Sequence, residues 1–462
     1  MHFDVVLIGD FRVPGGTSRQ ASNQIRVLHR GGYSVGLVNV ELPHARGRKP
    51  IDSLIRARIS LGEATLVRSG FDELSASLVI FENPRAFHEA PADTIRVDAR
   101  RALIAVHFPL VDGAGQQTFD PALVAQVCGQ ITEAPVLWAP VSNMTRRLLL
   151  ANQAELPVLE RNLPNIVMVD DFACERPQPV KNVPVIGRHS RPQPDKWPAT
   201  RQEILQVYPK RSDIEVALLG VGDDLRDLVG SYPRNWRTYE FNEIAPVDFL
   251  RSIDFFVYYH HPDWLEAFGI ATAEAMASGA VAILPPYMKE NFGGAAIYCE
   301  PKDAVATVRA LHNDWKKYLR QSCKGRDHVR KQHSPAAYLE VVEPLIGRSR
   351  RGQRSGTRAV KNYDAAILGD MSLAGSSALR IAGEVRALSD AGYKTVLFHL
   401  PHGSMAGRIR PELDELVRQG MVEVGDPWAS EAKAPMLVIH SPQALIANLS
   451  SSRRSLSFRD VV

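Results

Sequence analysis

Two glutamates, Glu266 and Glu274, lie eight positions apart in a segment whose other residues are small or apolar. Ala and Met favour helix interiors and Gly279 suits a helix end, so the segment predicts a helix over Ile270–Ala277. Eight helical residues span about 12 Å at ~1.5 Å per residue, roughly the reach from a sugar across a diphosphate to a ribose. Since carboxylates accept hydrogen bonds from hydroxyls, Glu266 would bind the donor sugar and Glu274 the ribose diol.

Backbone N–H groups between the two glutamates suit a diphosphate. The first turn of a helix leaves its N–H groups unpaired, and such groups bind anions. The predicted substrate-binding positions of this segment are Phe268, Gly269, Ile270, Thr272 and Glu274. The alternative is a capped amphipathic helix with two exposed glutamates.

Two cations and a glycine pair follow other predicted strands. Arg188 closes a strand and Lys196 follows it in a proline-rich loop, a placement that suits a diphosphate held without metal. Gly15 and Gly16 follow the first strand, where the backbone must approach a ligand closely. No Asp-x-Asp motif is evident, so the sequence predicts no metal and no cofactor besides the sugar nucleotide. For the two cations, a solvated basic loop is the alternative.

Apolar runs alternate with helical patterns, and this repetition predicts parallel sheets covered by helices. In residues 1–169 the predicted strands are Asp4–Gly9, Val35–Val40, Ser77–Phe81, Ala102–Val106 and Val136–Ala139. In residues 182–347 they are Val183–Gly187, Glu215–Gly220, Phe255–Tyr259 and Ala280–Leu284. Between the two domains, Asp170–Asn182 has two prolines and no helical periodicity, which indicates a linker.

Residues 362–462 repeat the start of the chain. Phe3–Asp10 matches Tyr363–Asp370, and Leu42-Pro43-His44 recurs as Leu400-Pro401-His402. The repeat stops where the equivalent of Ala102–Val106 would begin, so we expect a chain cut from a longer protein. This third unit lacks a Glu-x7-Glu segment and is predicted to be inactive.

The composition is that of an ordinary globular protein and does not point to a nucleic-acid-binding one. The chain has 462 residues, 45% hydrophobic and 23% charged, as in ordinary globular proteins of two or three domains. Its net charge of +4 does not argue for nucleic acid, and its four scattered cysteines favour the cytoplasm. The basic stretch Arg348–Lys361 is predicted to be a linker. It is either a solvated tether or a peripheral contact with anionic lipid at the inner face of a membrane.

The segment Glu266–Gly279 matches the signature E-x-F-G-x-x-x-x-E-A-M-A-x-G, and on it the chain resembles the retaining glycosyltransferases of family four. The resemblance covers residues 1 to about 345 and implies the GT-B fold, an α/β arrangement of two facing Rossmann-like domains. It assigns the donor sugar to Glu266, the ribose to Glu274 and the diphosphate to Arg188 and Lys196.

The resemblance adds residues that spacing alone does not select. It places His107 close to the acceptor and the reacting carbon, Glu290 in a donor-facing loop, and Trp236–Glu243 against the base. The usual Gly-Gly-x-Pro-Glu string is replaced here by Pro-Pro-Tyr-Met-Lys-Glu, which weakens the Glu290 assignment. The predicted catalytic residues are therefore His107, Glu266, Arg188 and Lys196.

The predicted reaction moves a sugar from a nucleoside diphosphate to a hydroxyl of a glycan, a lipid-linked or a small-molecule acceptor. The expected setting is bacterial-type polysaccharide or glycoconjugate synthesis. A sugar-phosphate synthase or phosphorylase would use the same donor pocket. A non-catalytic module that binds nucleotide sugar or glycan is the alternative from another class, and the joint presence of Glu266, Glu274, Arg188 and Lys196 argues against it.

Overall fold

The computed structural model describes residues 1–13, 15–40, 50–67, 74–89, 95–347, 361–371, 376–399, 409–425, 432–440 and 456–461. Almost all of the predicted basic linker lies outside these residues, as do the recurring Leu-Pro-His strings. No helix within the described ranges has the length and apolar character needed to cross a membrane.

The first unit is a six-stranded parallel sheet in the order β3-β2-β1-β4-β5-β6. Its elements are β1 His2–Gly9, α1 Gly16–Arg30, β2 Val35–Asn39, α2 Ser53–Ser60, β3 Thr65–Val67, β4 Leu74–Glu82, β5 Val97–Val106, α3 Pro121–Ile131, β6 Val136–Pro140 and α4 Asn143–Asn152. Consecutive residues of β1 from Val5 to Ile8 are fully buried because helices cover both faces of the sheet. The first half of β5 alternates in burial, so the apolar run Ala102–Val106 marked only its second half.

The second unit repeats this architecture with the strand order β12-β11-β10-β7-β8-β9. Its elements are α5 Val169–Phe172, β7 Val185–His189, α6 Arg201–Val207, β8 Glu215–Leu219, α7 Asp223–Val229, β9 Trp236–Tyr239, α8 Pro246–Arg251, β10 Phe255–Val257, α9 Ile270–Ala277, β11 Val281–Leu284, α10 Lys289–Phe292, β12 Ile297–Tyr298, α11 Ala304–Asn313, α12 Trp315–Gln332 and α13 Pro335–Ile346. The helix predicted over Ile270–Ala277 has those bounds.

The last of these helices returns to the first unit. Tyr338, Val342 and Ile346 of α13 are buried in the same hydrophobic cluster as Leu7 and Ile25 of the first unit. The two units therefore share a helix that follows the second in sequence and packs on the first. The domain boundaries at residues 169, 182 and 347 stay predictions.

The predicted linker Asp170–Asn182 begins inside a short helix and is anchored to the second unit. Arg176 is buried and donates to the carbonyls of Leu250 at 2.6 Å, Ser278 at 3.1 Å and Ile253. These carbonyls lie at the ends of α8 and α9, where helices leave carbonyl groups unpaired. The guanidinium of Arg176 thus holds the predicted linker, the crossing segment between the units, against the helix that carries Glu274.

The third unit repeats the strand order of the first as far as the equivalent of β5. Its elements are β13 Lys361–Asn362, β14 Ala365–Gly369, α14 Ser376–Asp390, β15 Thr395–His399, α15 Pro411–Arg418, β16 Glu423–Gly425, β17 Ala432–Ile439 and β18 Leu456–Val461. The repeat extends to a side-chain contact: Asp4 accepts from the N–H of Ser34 at 2.7 Å, and Asp364 from that of Lys394 at 2.7 Å.

We predict that Arg176→Ala lowers the free energy of unfolding by about 3 kcal/mol, because it leaves buried carbonyls without donors. Urea unfolding followed by tryptophan fluorescence measures the loss. The matched control is Lys181→Ala, which removes an exposed ion pair with Glu215 and should cost less than about 1 kcal/mol. Equal effects of the two variants would contradict the anchoring role.

Candidate functional site

A cleft of about 1200 Å³ lies between the first and second units. Its first-unit wall comes from the carboxyl ends of β1, β4 and β5, and its second-unit wall from the ends of β7, β8 and β10 and the start of α9. Ligand sites of parallel α/β sheets occur at the carboxyl ends of strands. The topology therefore places both walls where such folds bind ligands.

Most of the predicted site residues line this cleft. They are Gly15, Gly16, His107, Lys196, Glu266, Phe268, Gly269, Ile270, Thr272 and Glu274. Phe241 and Asn242, from the stretch expected to face the base, line it as well. Arg188 and Glu290 are not on the cleft wall. The roles of all these residues stay predictions.

Glu266 is held by three donors on one carboxylate oxygen. Its Oε2 accepts from Lys196 Nζ at 2.7 Å, Tyr258 OH at 2.7 Å and Trp264 Nε1 at 3.3 Å. Burial favours the neutral acid, but Lys196 and the Tyr258 hydroxyl outweigh it and lower the pKa of Glu266 to about 2. Within the described residues no hydrogen bond reaches Oε1, so an ionised carboxylate presents one open acceptor to the cleft.

The 12 Å estimate assumed that both glutamates lie on one helix, and the structure shows that they do not. α9 begins at Ile270, and Glu266 belongs to the preceding loop. Gly269 turns the chain between them with a left-handed φ of 92°, and a Cβ there would lie 3.0 Å from Met288 Cε. Glycine permits this turn because it has no side chain.

Glu274 forms an ion pair across the cleft. It is buried on α9, and its Oε1 lies 3.1 Å from Nη1 of Arg19 on α1 of the first unit. Burial raises the pKa of Glu274, and Arg19 opposes this effect. His189 lies 3.6 Å from the other oxygen but is uncharged at neutral pH, because burial, with Arg19 and Arg188, lowers its pKa to about 3. Arg19 is therefore the cation that compensates Glu274.

Arg188 lies behind the wall rather than on it. Its guanidinium is fully buried between the rings of Trp197 at 4.2 Å and Tyr258 at 4.6 Å, and it donates to the Tyr259 carbonyl at 2.8 Å. It supports the tyrosine that binds Glu266 and has no open path to a ligand in this arrangement.

Positive charge near the glycine turn comes instead from Arg191, three positions further on. A Cβ added to Gly15 would lie 3.0 Å from Arg191 Nε, so the turn and this arginine meet across the cleft. Lys196 stands over the Trp264 ring at 3.9 Å. Within the described part of the chain, no three His, Cys, Asp or Glu side chains form a possible metal site.

Glu290 has a structural partner away from the cleft. Both its oxygens accept from Nε of Arg147, at 2.9 and 3.0 Å. Its neighbour Asn291 accepts from the N–H of Met144 and donates to the carbonyl of Ala267. The segment therefore joins α4 to the loop that carries Glu266.

His107 lies on the first-unit wall and is paired with Glu82. The two side chains are nearly buried and meet at 2.7 Å between Nε2 and Oε2. Glu82 ends β4, and its other oxygen is buried without a partner among the described residues. Glu82 is not among the residues predicted from the sequence, although an acid at the carboxyl end of a central strand is a recognisable signal. Arg19, Arg191 and Trp264 are not among them either, because no local pattern marks them.

One side of the cleft is closed by loop contacts between the two units. Phe108 packs edge-on against Trp264 with ring centroids 5.7 Å apart, and the N–H of Gly113 donates to the Asp263 carbonyl at 2.9 Å. A Cβ at Gly113 would lie 2.0 Å from the Pro262 carbonyl oxygen, so only glycine fits there. The loop after β5 thus touches the loop before Glu266.

Comparison with known proteins supports the fold. No family model matches the sequence, and no curated protein matches it. The structure of Anabaena HepE with UDP-glucose is similar, with a TM-score of 0.52 and 11% identity over 74% of this chain and 99% of that chain. The crystal structure of TarM has a TM-score of 0.53 and 11% identity, over the same 74% and 99%. The predicted α/β GT-B fold with a third, partial Rossmann-like unit is confirmed.

A buried histidine behind the glutamate loop predicts acid sensitivity. His333 packs on Phe268 with centroids 4.5 Å apart, and burial, with nearby His328, lowers its pKa to about 3. The unfolded chain takes up this proton near pH 6.5 and the folded one does not, so stability falls as pH drops below 6.5. Between pH 6.5 and 5 one such histidine removes about 2 kcal/mol.

We expect His333→Phe to reduce the loss of stability between pH 7 and pH 5 by about 2 kcal/mol, measured by urea unfolding at both values. The matched control is His2→Phe at an exposed position. An unchanged difference between the two pH values in His333→Phe would rule out this contribution.

Proposed function

We propose that this protein is a glycosyltransferase that moves a sugar from a nucleoside diphosphate sugar to a hydroxyl acceptor. The observation that carries the proposal is that Glu266, Glu274 and Lys196 line one wall of the cleft, opposite Gly15 and Arg19. The similar fold of HepE, whose structure contains UDP-glucose, supports it.

The donor would lie along the second-unit wall. The open oxygen of Glu266 would accept from a sugar hydroxyl, and Glu274 would accept from the ribose diol. Between them the diphosphate would meet Lys196 and the unpaired N–H groups of the first turn of α9. The base would lie toward Phe241 and Leu219, which also line the cleft. Arg19 already pairs with Glu274. The ribose diol would therefore bind Glu274 beside Arg19 or displace it.

The chemical demand is negative charge on the leaving diphosphate. The bond from the anomeric carbon to the diphosphate breaks, a bond from that carbon to the acceptor oxygen forms, and the acceptor hydroxyl releases its proton. Fixed positive groups lower the barrier because they need not reorganise as charge develops. Lys196, Arg191 and the start of α9 would supply this field without a metal ion. His107, oriented by Glu82, would face the acceptor and the reacting carbon.

Several finer assignments rest on the signature Glu266–Gly279 alone. These are membership of family four, retention of the anomeric configuration, and a role in polysaccharide or glycoconjugate synthesis. Cytoplasmic residence and contact of Arg348–Lys361 with anionic lipid rest on composition. We propose them as extensions of the transferase reaction.

Nucleotide binding tests the role of Glu274. Calorimetry with UDP and GDP should find one that binds, and Glu274→Gln should weaken it about tenfold by removing a charged acceptor for the ribose diol. The matched control is Glu340→Gln, whose carboxylate forms an exposed ion pair with Arg161 outside the cleft. The proposed function is wrong if neither nucleotide binds the wild type, or if both variants bind equally well.

A separate variant tests the sugar site. Glu266→Gln should leave UDP or GDP affinity within about threefold, because the free nucleotide has no sugar. It should lower turnover of the matching nucleotide sugar by about 100-fold, because the neutral amide cannot replace the ionised acceptor. Nucleotide release in a screen of UDP- and GDP-sugars measures both. Unchanged turnover would remove Glu266 from the sugar site.

A further inference from the structure

Three basic side chains of the cleft are each paired with an acid. Lys196 pairs with Glu266 at 2.7 Å, Arg19 with Glu274 at 3.1 Å and His107 with Glu82 at 2.7 Å. Arg85 also lines the cleft, yet among the described residues, which omit 41–49 and 90–94, no carboxylate pairs with it. It is half-buried, and burial lowers the pKa of its guanidinium. A partly desolvated cation without a counter-ion is costly unless a ligand supplies one.

Local structure holds this arginine against the cleft. Asn83 directly follows β4 and has a positive φ of 69°. Its Oδ1 accepts from the N–H of Arg85 at 3.1 Å. The turn Pro84–Phe87 follows directly. Non-glycine residues adopt this φ rarely and at an energetic cost, and such residues are concentrated at functional sites.

The guanidinium is also held by an aromatic ring. Its central carbon lies 4.6 Å from the centroid of Phe108, which packs on Trp264, whose indole N–H reaches Glu266. This contact occupies one face of the guanidinium and leaves the N–H groups in its plane available to a ligand. In-plane N–H pairs bind carboxylate and phosphate oxygens in a bidentate manner. Because Phe108 follows His107, the group lies on the side of the cleft assigned to the acceptor.

We propose that Arg85, Phe108 and Trp264 form an acceptor subsite for an anionic group, and that the acceptor is a sugar carrying a carboxylate or a phosphate monoester. This inference rests on the proposed function. The aromatic rings would pack on the acceptor's sugar ring, while Arg85 would bind its anion. In the transfer step the anion is unchanged: the acceptor oxygen gains the donor carbon, the nucleoside diphosphate departs, and the hydroxyl proton is released.

The test compares matched acceptors with the nucleotide sugar that the protein turns over. Glucose, galactose and mannose are each offered as the neutral sugar, the uronate and the 6-phosphate, and kcat/KM of transfer is measured. At least one anionic form should exceed its neutral parent by about tenfold or more. Preference for uronates or for phosphates identifies the source of the charge. Equal or better transfer to the neutral sugars would overturn the proposal.

Two variants give the inference a second, independent test. Arg85→Met should bring the ratio of anionic to neutral kcat/KM close to one, with nucleotide affinity unchanged by calorimetry. Arg161→Met, at an exposed ion pair with Glu340, is the matched control and should keep the wild-type ratio. A preference that persists in Arg85→Met overturns the subsite. If no nucleotide binds at all, the proposed function itself fails, so the two failures are distinguishable.

Discussion

Carboxylates that are shielded from water need compensating cations, and two such pairs organise the cleft. Glu274 is buried and Glu266 is half-buried, and both lie on the second-unit wall. Lys196 compensates the first from within the same unit, while Arg19 reaches the second from α1 of the first unit. The local pair shapes a binding surface. The crossing pair joins the two units, because the buried carboxylate of Glu274 needs the charge of Arg19.

The connections between the units support the same geometry. Arg176 fastens the crossing segment beneath α9, α13 returns to the core of the first unit, and Gly113 meets Asp263 on the far side of the cleft. These contacts bring charged groups of both units together around the cleft, including the pairs of Glu266 with Lys196 and of Glu274 with Arg19. Arg85, by contrast, has no carboxylate partner among the described residues.

The third unit has the sheet of the first unit but not all of its cleft residues. It repeats the strand order of the first unit and the aspartate contact between β14 and the start of β15. At the position that matches Arg19, however, it carries Leu379, which is 65% exposed. The same fold thus occurs without the cation that crosses to Glu274. The inactivity of this unit stays a prediction. Its sheet nevertheless forms without an arginine at the position of Leu379.

The sequence by itself determined most strands of the first two units, though not the edge strands β3, β9 and β12. It also determined the α9 helix, the repeat, and the placement of Glu266, Glu274, Lys196 and the glycine turn. These follow from local periodicity, from glycine and from the edge at which parallel strands end. Tertiary structure alone decided that Arg188 turns inward between two aromatic rings while Arg191 meets Gly15. It also decided that Arg19 is the partner of Glu274. Side-chain direction and long-range ion pairing depend on packing between distant segments, which no local pattern encodes.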